Sequence, residues 1–462
     1  MQSIAGNWLV SHATVSQSEV LQSEVLQSEQ YWLKNVHVPN SLLDPAEIPN
    51  STQPTREGLL LVDLEIRAGM IAQIVKASAE NPASGTEIDL KQGIGLPCFI
   101  DIHTHLDKGQ IWNRSPNLDG TFSNALELVQ SDCQNHWQAE DVYRRMNFGL
   151  KCSYAHGTQA IRTHIDALGK QAEISLGAVK TLQAEWAGRL SLQAVSLVPL
   201  EIWLTPEGEI LADQFAEVNG LLGGFSLMRP DLDAALDRVF LLAKARNLDL
   251  DFHCDETNDP HSITLRHVAQ AALRHQYEGR VLCGHCCSLA VQSEAEVNKT
   301  LDLVQQAGIS IVSLPMCNLY LQDRQLERTP RWRGVTLLHE LKQRGVSVAI
   351  ASDNCRDPFF GFGDHDALEV FNLSTRIAHL DTPYGDWIRA ITATPAQLMR
   401  LPTQGHLATG LPANLVLFRG RSFSELLSRS QHDRVVLRQG KAIDTTLPNY
   451  AELDDLMTPV SI

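Results

Sequence analysis

The sequence predicts an α/β protein: a (β/α)8 TIM-like barrel with a small β-sandwich domain built from both chain ends. Three observations lead there. Between residues 97 and 404, short apolar strand-like runs alternate eight times with segments of helical period, the pattern of parallel strands joined by crossover helices. On either side, residues 31–96 and 405–462 show period-two alternation and turn signals instead. Four of the inner strands also end in a His or an Asp, and a barrel delivers all its strand ends to one mouth.

In chain order, residues 15–30 (VSQSEVLQSEVLQSEQ) form a short polar tandem repeat without Gly or Pro, and residues 1–30 are expected to be a mobile extension without catalytic role. Strands follow at 31–38 (YWLKNVHV) and within 59–75 (LLLVDLEIRAGMIAQIV), where Ala68-Gly69 signals a turn. The matching half of the sandwich is expected from ANLVLF at 413–418 and DRVVLR at 433–438, the latter closed by the turn Gln439-Gly440. The eight barrel strands are expected at 100–106, 159–166, 192–200, 223–227, 248–255, 281–287, 310–316 and 347–353. After strand four, Leu232, Ala235, Leu236, Val239, Phe240 and Ala243 fall on one helical face, with Asp233, Asp237 and Lys244 off it.

At 462 residues and 44% hydrophobic composition, the chain can bury one large core and a smaller module. A formal charge of -16 argues against nucleic acid and anionic membranes as partners. A small neutral or cationic substrate is expected, and homo-oligomerisation is left open. No stretch reaches the apolar length of a bilayer span, and MQSIAGNWLV lacks a basic segment followed by a long apolar one, so the expected location is cytoplasmic. Nine cysteines are too sparse for a disulfide framework. The Cys283-Gly284-His285-Cys286 run has no partner pair and reads as structural rather than as a zinc or redox motif.

His103-Thr104-His105 reads as half of a metal site. Residues two apart on a strand share a face, so both imidazoles can reach one cation. Residues 248–256 (LDLDFHCDE), 281–288 (VLCGHCCS) and 347–354 (SVAIASDN) repeat the construction of an apolar strand ending in a candidate ligand or its servant. In a barrel, His103, His105, His253 and Asp353 would bind one divalent ion through three nitrogens and an oxygen, leaving a position for water. That is the arrangement of a hydrolase.

The ordered set of motifs resembles the amidohydrolase superfamily and, within it, the bacterial cytosine deaminase branch. The resemblance spans nearly all of residues 31–450. It is carried by P-C-F-I-D-I-H-T-H-L-D at 97–107, R-T-H-I-D at 162–166, H-C-D-E at 253–256, G-H at 284–285, N-L-Y-L-Q-D-R at 318–324 and S-D-N-C-R-D-P at 352–358. It implies that His103, His105, His253 and Asp353 hold a single catalytic iron or zinc, that Glu256 shuttles protons, and that His285 assists the attack. Some relatives hold two metals through a lysine on strand four; residues 223–227 contain none, which favours one. Arg162, His164 and Asp166 are read as supports that orient ligands.

Two departures bear on the substrate. Cytosine deaminases carry a strand-three glutamine that reads the pyrimidine's amide edge, whereas this chain has Val198-Pro199-Leu200-Glu201. Asn354 stands where close cytosine deaminases have a second aspartate, and Asp353-Asn354 is similar to the N-isopropylammelide amidohydrolases. Leu200 and Asn354 are therefore the candidate substrate-binding residues. The expected function is a metal-dependent hydrolytic deaminase of a cytosine-like amino-substituted N-heterocycle, releasing ammonia by attack of metal-bound hydroxide. Two alternatives are an amidohydrolase removing a substituted amine from a triazine-type ring, against which the retained Glu256 argues, and a non-catalytic metal-binding protein, which would have lost a ligand or Glu256.

Overall fold

The computed structural model describes residues 9–10, 25–49, 53–78, 86–381, 383–429 and 433–457. Most of the polar tandem repeat lies outside them. The chain divides into two compact units, one of Met1–Ile100, Tyr154–Gln159 and His379–Leu447, the other of Asp101–Ser153, Ala160–Ala378 and Pro448–Ile462. Among the described residues, no helix is long and apolar enough to cross a membrane.

The second unit holds all, or the C-terminal ends, of eight parallel strands: β1 (Phe99–Thr104), β2 (Thr158–Asp166), β3 (Ser191–Leu197), β4 (Leu222–Ser226), β5 (Leu250–Cys254), β6 (Val281–His285), β7 (Ser310–Ser313) and β8 (Val348–Ile350). They form a three-stranded sheet β1-β2-β3 and a five-stranded sheet β4-β5-β6-β7-β8. Parallel bridges Val195↔Leu221 and Pro199↔Phe225 join β3 to β4, and Thr104↔Asp353 joins the end of β8 to β1. The strand order is therefore cyclic. In it β5 stands across the ring from β1.

All eight expected strands are present; seven end one to three residues before the expected bounds, and β3, β7 and β8 each end three residues early. Strand β3 stops at Leu197 instead of reaching Leu200, which opens a 3-10 turn over Leu200–Leu204. Pro199 has no N–H for the ladder, and its carbonyl accepts from Ile202 N at 3.1 Å to close that turn. Strand β7 stops at Ser313 because Pro315 takes the first position of the helix Pro315–Leu321, where a missing N–H costs nothing.

The helix after β4, Leu232–Arg246, buries the whole expected face together with Leu242, and ends at Asn247 in the left-handed conformation. Phe240 is fully buried, edge-to-face with Tyr277 at 5.1 Å. Phe240→Ala is expected to destabilise the protein by about 3–5 kcal/mol, since the emptied volume cannot fully collapse; urea unfolding measures it, with an unchanged slope.

The first unit holds two sheets. One runs Leu9–Val10, Thr86–Asp89, Gln30–Pro39, Leu59–Arg67 and Met70–Lys76; the other runs Lys441–Ala442, Val435–Arg438, Leu415–Leu417 and Gly95–Pro97. The expected turns fall at Ala68-Gly69 and Gln439-Gly440, all four residues at positive φ. Leu33, Val62 and Ile66 from the early strands share one core with Leu415 and Leu437 from the late ones, so both chain ends build this unit. Leu26, at the edge of the expected extension, is buried in the same core.

Candidate metal centre and active site

The side chains at the C-terminal ends of the parallel strands are placed by pleat alternation and by backbone kinks. On β5, Asp251 and His253 are two apart and share a face. At the ends of the strands, Asp255, His285 and Asp353 take positive φ values of 52°, 67° and 65°. Non-glycine residues rarely adopt that conformation, and it occurs most where a side chain must be re-aimed at a site. Gly284 makes room: a Cβ there would lie 3.0 Å from Cε1 of His103. Asp353 is fixed from β1, its N–H donating to His103 O at 2.9 Å and its carbonyl accepting from the Thr104 hydroxyl at 2.8 Å.

The four residues expected to hold a metal come together. His105 Nε2 lies 3.2 Å from Asp353 Oδ1 and 3.3 Å from His253 Nε2, and His103 Nε2 lies 3.6 Å from Asp353 Oδ1. Two further histidines join them. His103, His164 and His253 form one group whose ligand atoms lie within 4.8 Å of one another, and His103, His285 and Asp353 form a second. Burial holds all of these imidazoles below their ordinary pKa, most strongly His103, His105, His164 and His253, so they present neutral nitrogens. Burial also raises the Asp353 carboxyl.

These residues fit a divalent cation. Both nitrogens of His103, Nδ1 of His105 and His253, and both Asp353 oxygens are buried without a hydrogen-bond partner. Buried polar atoms normally have partners, and a convergent set of neutral imidazoles and one carboxylate is a donor set suited to zinc or iron.

Glu256 and His285 stand together beside this cluster, Glu256 Oε1 lying 3.3 Å from His285 Nδ1. Asn318, on the helix Pro315–Leu321, bridges them: its amide nitrogen is 3.1 Å from Glu256 Oε1 and 3.0 Å from His285 Nδ1. An amide N–H donating to Nδ1 leaves the imidazole proton on Nε2. Burial, followed by the charge of Asp353, lifts the Glu256 pKa well above the usual carboxylate range. The carboxyl thus keeps its proton to higher pH than an ordinary carboxylate does.

Of the two candidate substrate-binding residues, Leu200 is buried and lines a cavity of about 100 Å³ with Pro199, Glu201, Phe225 and Arg229. Asn354 is buried and its amide donates to Asp357 Oδ2 at 2.7 Å. Of the residues read as supports, His164 lies nearer the centre than that role suggests, its ring 4.0 Å from that of His103. Arg162 reaches Asp251 Oδ2 at 3.0 Å, and Asp166 accepts from Lys108 Nζ at 2.7 Å. Sequence reasoning gave Asn318 no role. Its only signal was the Asn that opens N-L-Y-L-Q-D-R, two residues after an expected strand end.

Asn318→Leu should leave metal content unchanged and lower kcat about tenfold to a hundredfold, the usual cost of removing a group that orients catalytic side chains. Steady-state kinetics with metal analysis on the same samples would check this.

Residues 209–443 match the amidohydrolase family. The chain is 48% identical over 421 residues to pterin deaminase from Rhizobium rhizogenes (strain K84 / ATCC BAA-868), covering 90% of this chain and 96% of that one. It is 23% identical over 371 residues to N-isopropylammelide isopropyl amidohydrolase from Pseudomonas sp. (strain ADP), covering 77% of this chain and 87% of that one. Its fold is similar to that of 5-methylcytosine deaminase from Klebsiella pneumoniae, with a TM-score of 0.75 at 24% identity over 89% of this chain and 97% of that one. The chain belongs to the amidohydrolase family. It is a hydrolase of carbon–nitrogen bonds other than peptide bonds, a deaminase.

Proposed function

We propose that the protein is a metal-dependent deaminase of pterin or a closely related 2-amino-4-oxo fused heterocycle, working at the mouth of a (β/α)8 barrel formed within residues 97–404. The observation that carries the chemistry is the Glu256–Asn318–His285 constellation beside the His/Asp cluster. The ring is suggested by the relative with 48% identity, whose name is pterin deaminase. In this reading His103, His105, His253 and Asp353 hold one iron or zinc ion. Such an ion, when bound, supplies Lewis acidity that makes water a competent nucleophile at neutral pH.

The chain's own groups then manage the protons. An Asp353 oxygen accepts the proton that the attacking water gives up. Glu256 delivers its proton to the ring nitrogen next to the amine-bearing carbon, making that carbon more electrophilic, and His285 Nε2–H orients the incoming oxygen. The proton held by Asp353 passes to the amine, the C–N bond breaks and ammonia leaves, while the remaining hydroxyl proton returns to the Glu256 carboxylate as C=O forms; C–NH2 beside a bare ring nitrogen, with water, becomes C=O beside N–H, with NH3.

Cytosine is expected to be a poor substrate. With Leu200 in place of a glutamine, a polar ring edge turned that way loses its partners, at about 1–3 kcal/mol for each group left unpaired. The decisive measurement is ammonia release by iron- or zinc-loaded protein from pterin and cytosine, with isopropylamine release followed for N-isopropylammelide and each deaminated product identified. Turnover of pterin with a kcat/KM well above that for cytosine is the expected result. No ammonia from pterin or any related 2-amino-4-oxo ring would overturn the reading.

A further inference from the structure

A Lys and an Asp at the ends of β1 and β2 have no part in the chemistry above. Lys108 is 4% exposed, yet its ammonium has one hydrogen-bonding carboxylate among the described residues, Asp166 Oδ1 at 2.7 Å. A lysine is seldom buried this completely, and three donors are more than one oxygen can satisfy. Asp166 is positioned in turn by its own N–H, which donates to Asp107 Oδ2 at 2.7 Å, and its side chain remains 27% exposed. Burial alone would depress the lysine, but Asp166 and Asp107 outweigh it and hold the ammonium charged. The pair sits beside the centre: Lys108 follows His105 by three residues, and Asp166 follows His164 by two on the same face of β2.

We propose that Lys108 and Asp166 read the lactam edge of the substrate, the Lys108 ammonium donating to the 4-oxo oxygen and the second Asp166 oxygen accepting from N3–H. The inference rests on the pterin reading of the site and supplies the edge reader that Leu200 cannot be. The cyclic strand order gives it direction. Glu256 follows β5 and is held by groups at the ends of β6 and β7, across the ring from β1 and β2. A ring placed with its amine-bearing carbon at the metal cluster and its bare N1 toward Glu256 turns the N3–H and C4=O edge to the opposite wall, where the pair stands. In cytosine, placing the bare N3 toward Glu256 turns C5–H and C6–H to that wall, and neither satisfies an ammonium or a carboxylate. The pair therefore selects the order of groups around the ring, not only their number.

The test compares pterin with 2,4-diaminopteridine, which lacks the carbonyl and N3–H. Metal-loaded parental enzyme should prefer pterin by about a hundredfold in kcat/KM, the loss expected when a site built for paired hydrogen bonds meets a ring without them. Lys108→Met should erase most of that preference, with KM for pterin rising more than kcat falls, 2,4-diaminopteridine little affected and metal content unchanged. Lys108→Arg should recover part of the loss. Equal losses on both rings with metal retained would make Lys108 merely structural and overturn the proposal. So would a parental enzyme that uses both rings within threefold, an outcome that depends on no variant folding. Parental enzyme inactive on every ring overturns the pterin reading instead, so the two failures are distinguishable.

Discussion

His253→Ala should lose the bound ion and with it more than about a thousandfold of turnover, because Lewis acidity at the reacting centre contributes several kcal/mol and each ~1.4 kcal/mol is tenfold in rate. The imidazole sits within 3.3 Å of His105 and with its ring 4.6 Å from that of His103, so its removal opens the middle of the cluster. The backbone of β5 should survive, since the ladder to β4 and β6 uses main-chain groups and alanine is accepted at a strand end. Elemental analysis of the purified protein checks this: about one equivalent in the parent, far less in the variant, and similar circular dichroism. Two tightly bound equivalents in the parent, or unchanged content in the variant, would overturn this ligand set, the latter pointing to His103, His285 and Asp353 as the holders.

How far such a site can be read from sequence depends on whether a residue acts through its strand or through contacts between elements. His103, His253 and Asp353 were legible because each closes an apolar parallel strand, and parallel strands in cyclic order must bring those ends together. The eight strands themselves were legible for the same reason. Their ends were not always so: Leu200 continues an apolar run, and only Pro199, by withholding an N–H, turns it out of the strand. The left-handed conformations of His285 and Asp353 had no local signal, because nothing in the propensity of His or Asp demands positive φ; neighbouring packing imposes it. Asn318 was invisible for a related reason. Its importance lies in a helix that starts at Pro315 and brings one amide to groups 33 and 62 residues earlier in the chain, which no periodicity encodes. The short strand Thr86–Asp89, parallel to Gln30–Pro39 within an otherwise antiparallel sheet, escaped because four residues, two of them acidic, carry little strand pattern.

Glu256→Gln should keep the metal and the fold but reduce kcat on the order of a hundredfold or more, the range for a positioned proton donor. The amide fills nearly the same space and can still accept from Asn318, so the hydrogen bond at 3.1 Å has a substitute partner. What it cannot do is hand a proton to the ring nitrogen. The pH profile separates this from mere loss of packing. Burial and the charge of Asp353 hold the Glu256 carboxyl above its ordinary pKa, so the parent should be active while the group is protonated and lose activity as pH rises through that raised value. In the glutamine variant that alkaline limb should vanish, leaving a low, flatter residual rate, whereas a variant that had only loosened the site would keep the limb at reduced height. Near-parental turnover on the best substrate, or an unaltered alkaline limb, would mean that the proton reaches the ring by another route. The group nearest to take that role is His285, and His285→Asn in the glutamine background would then remove the remaining rate.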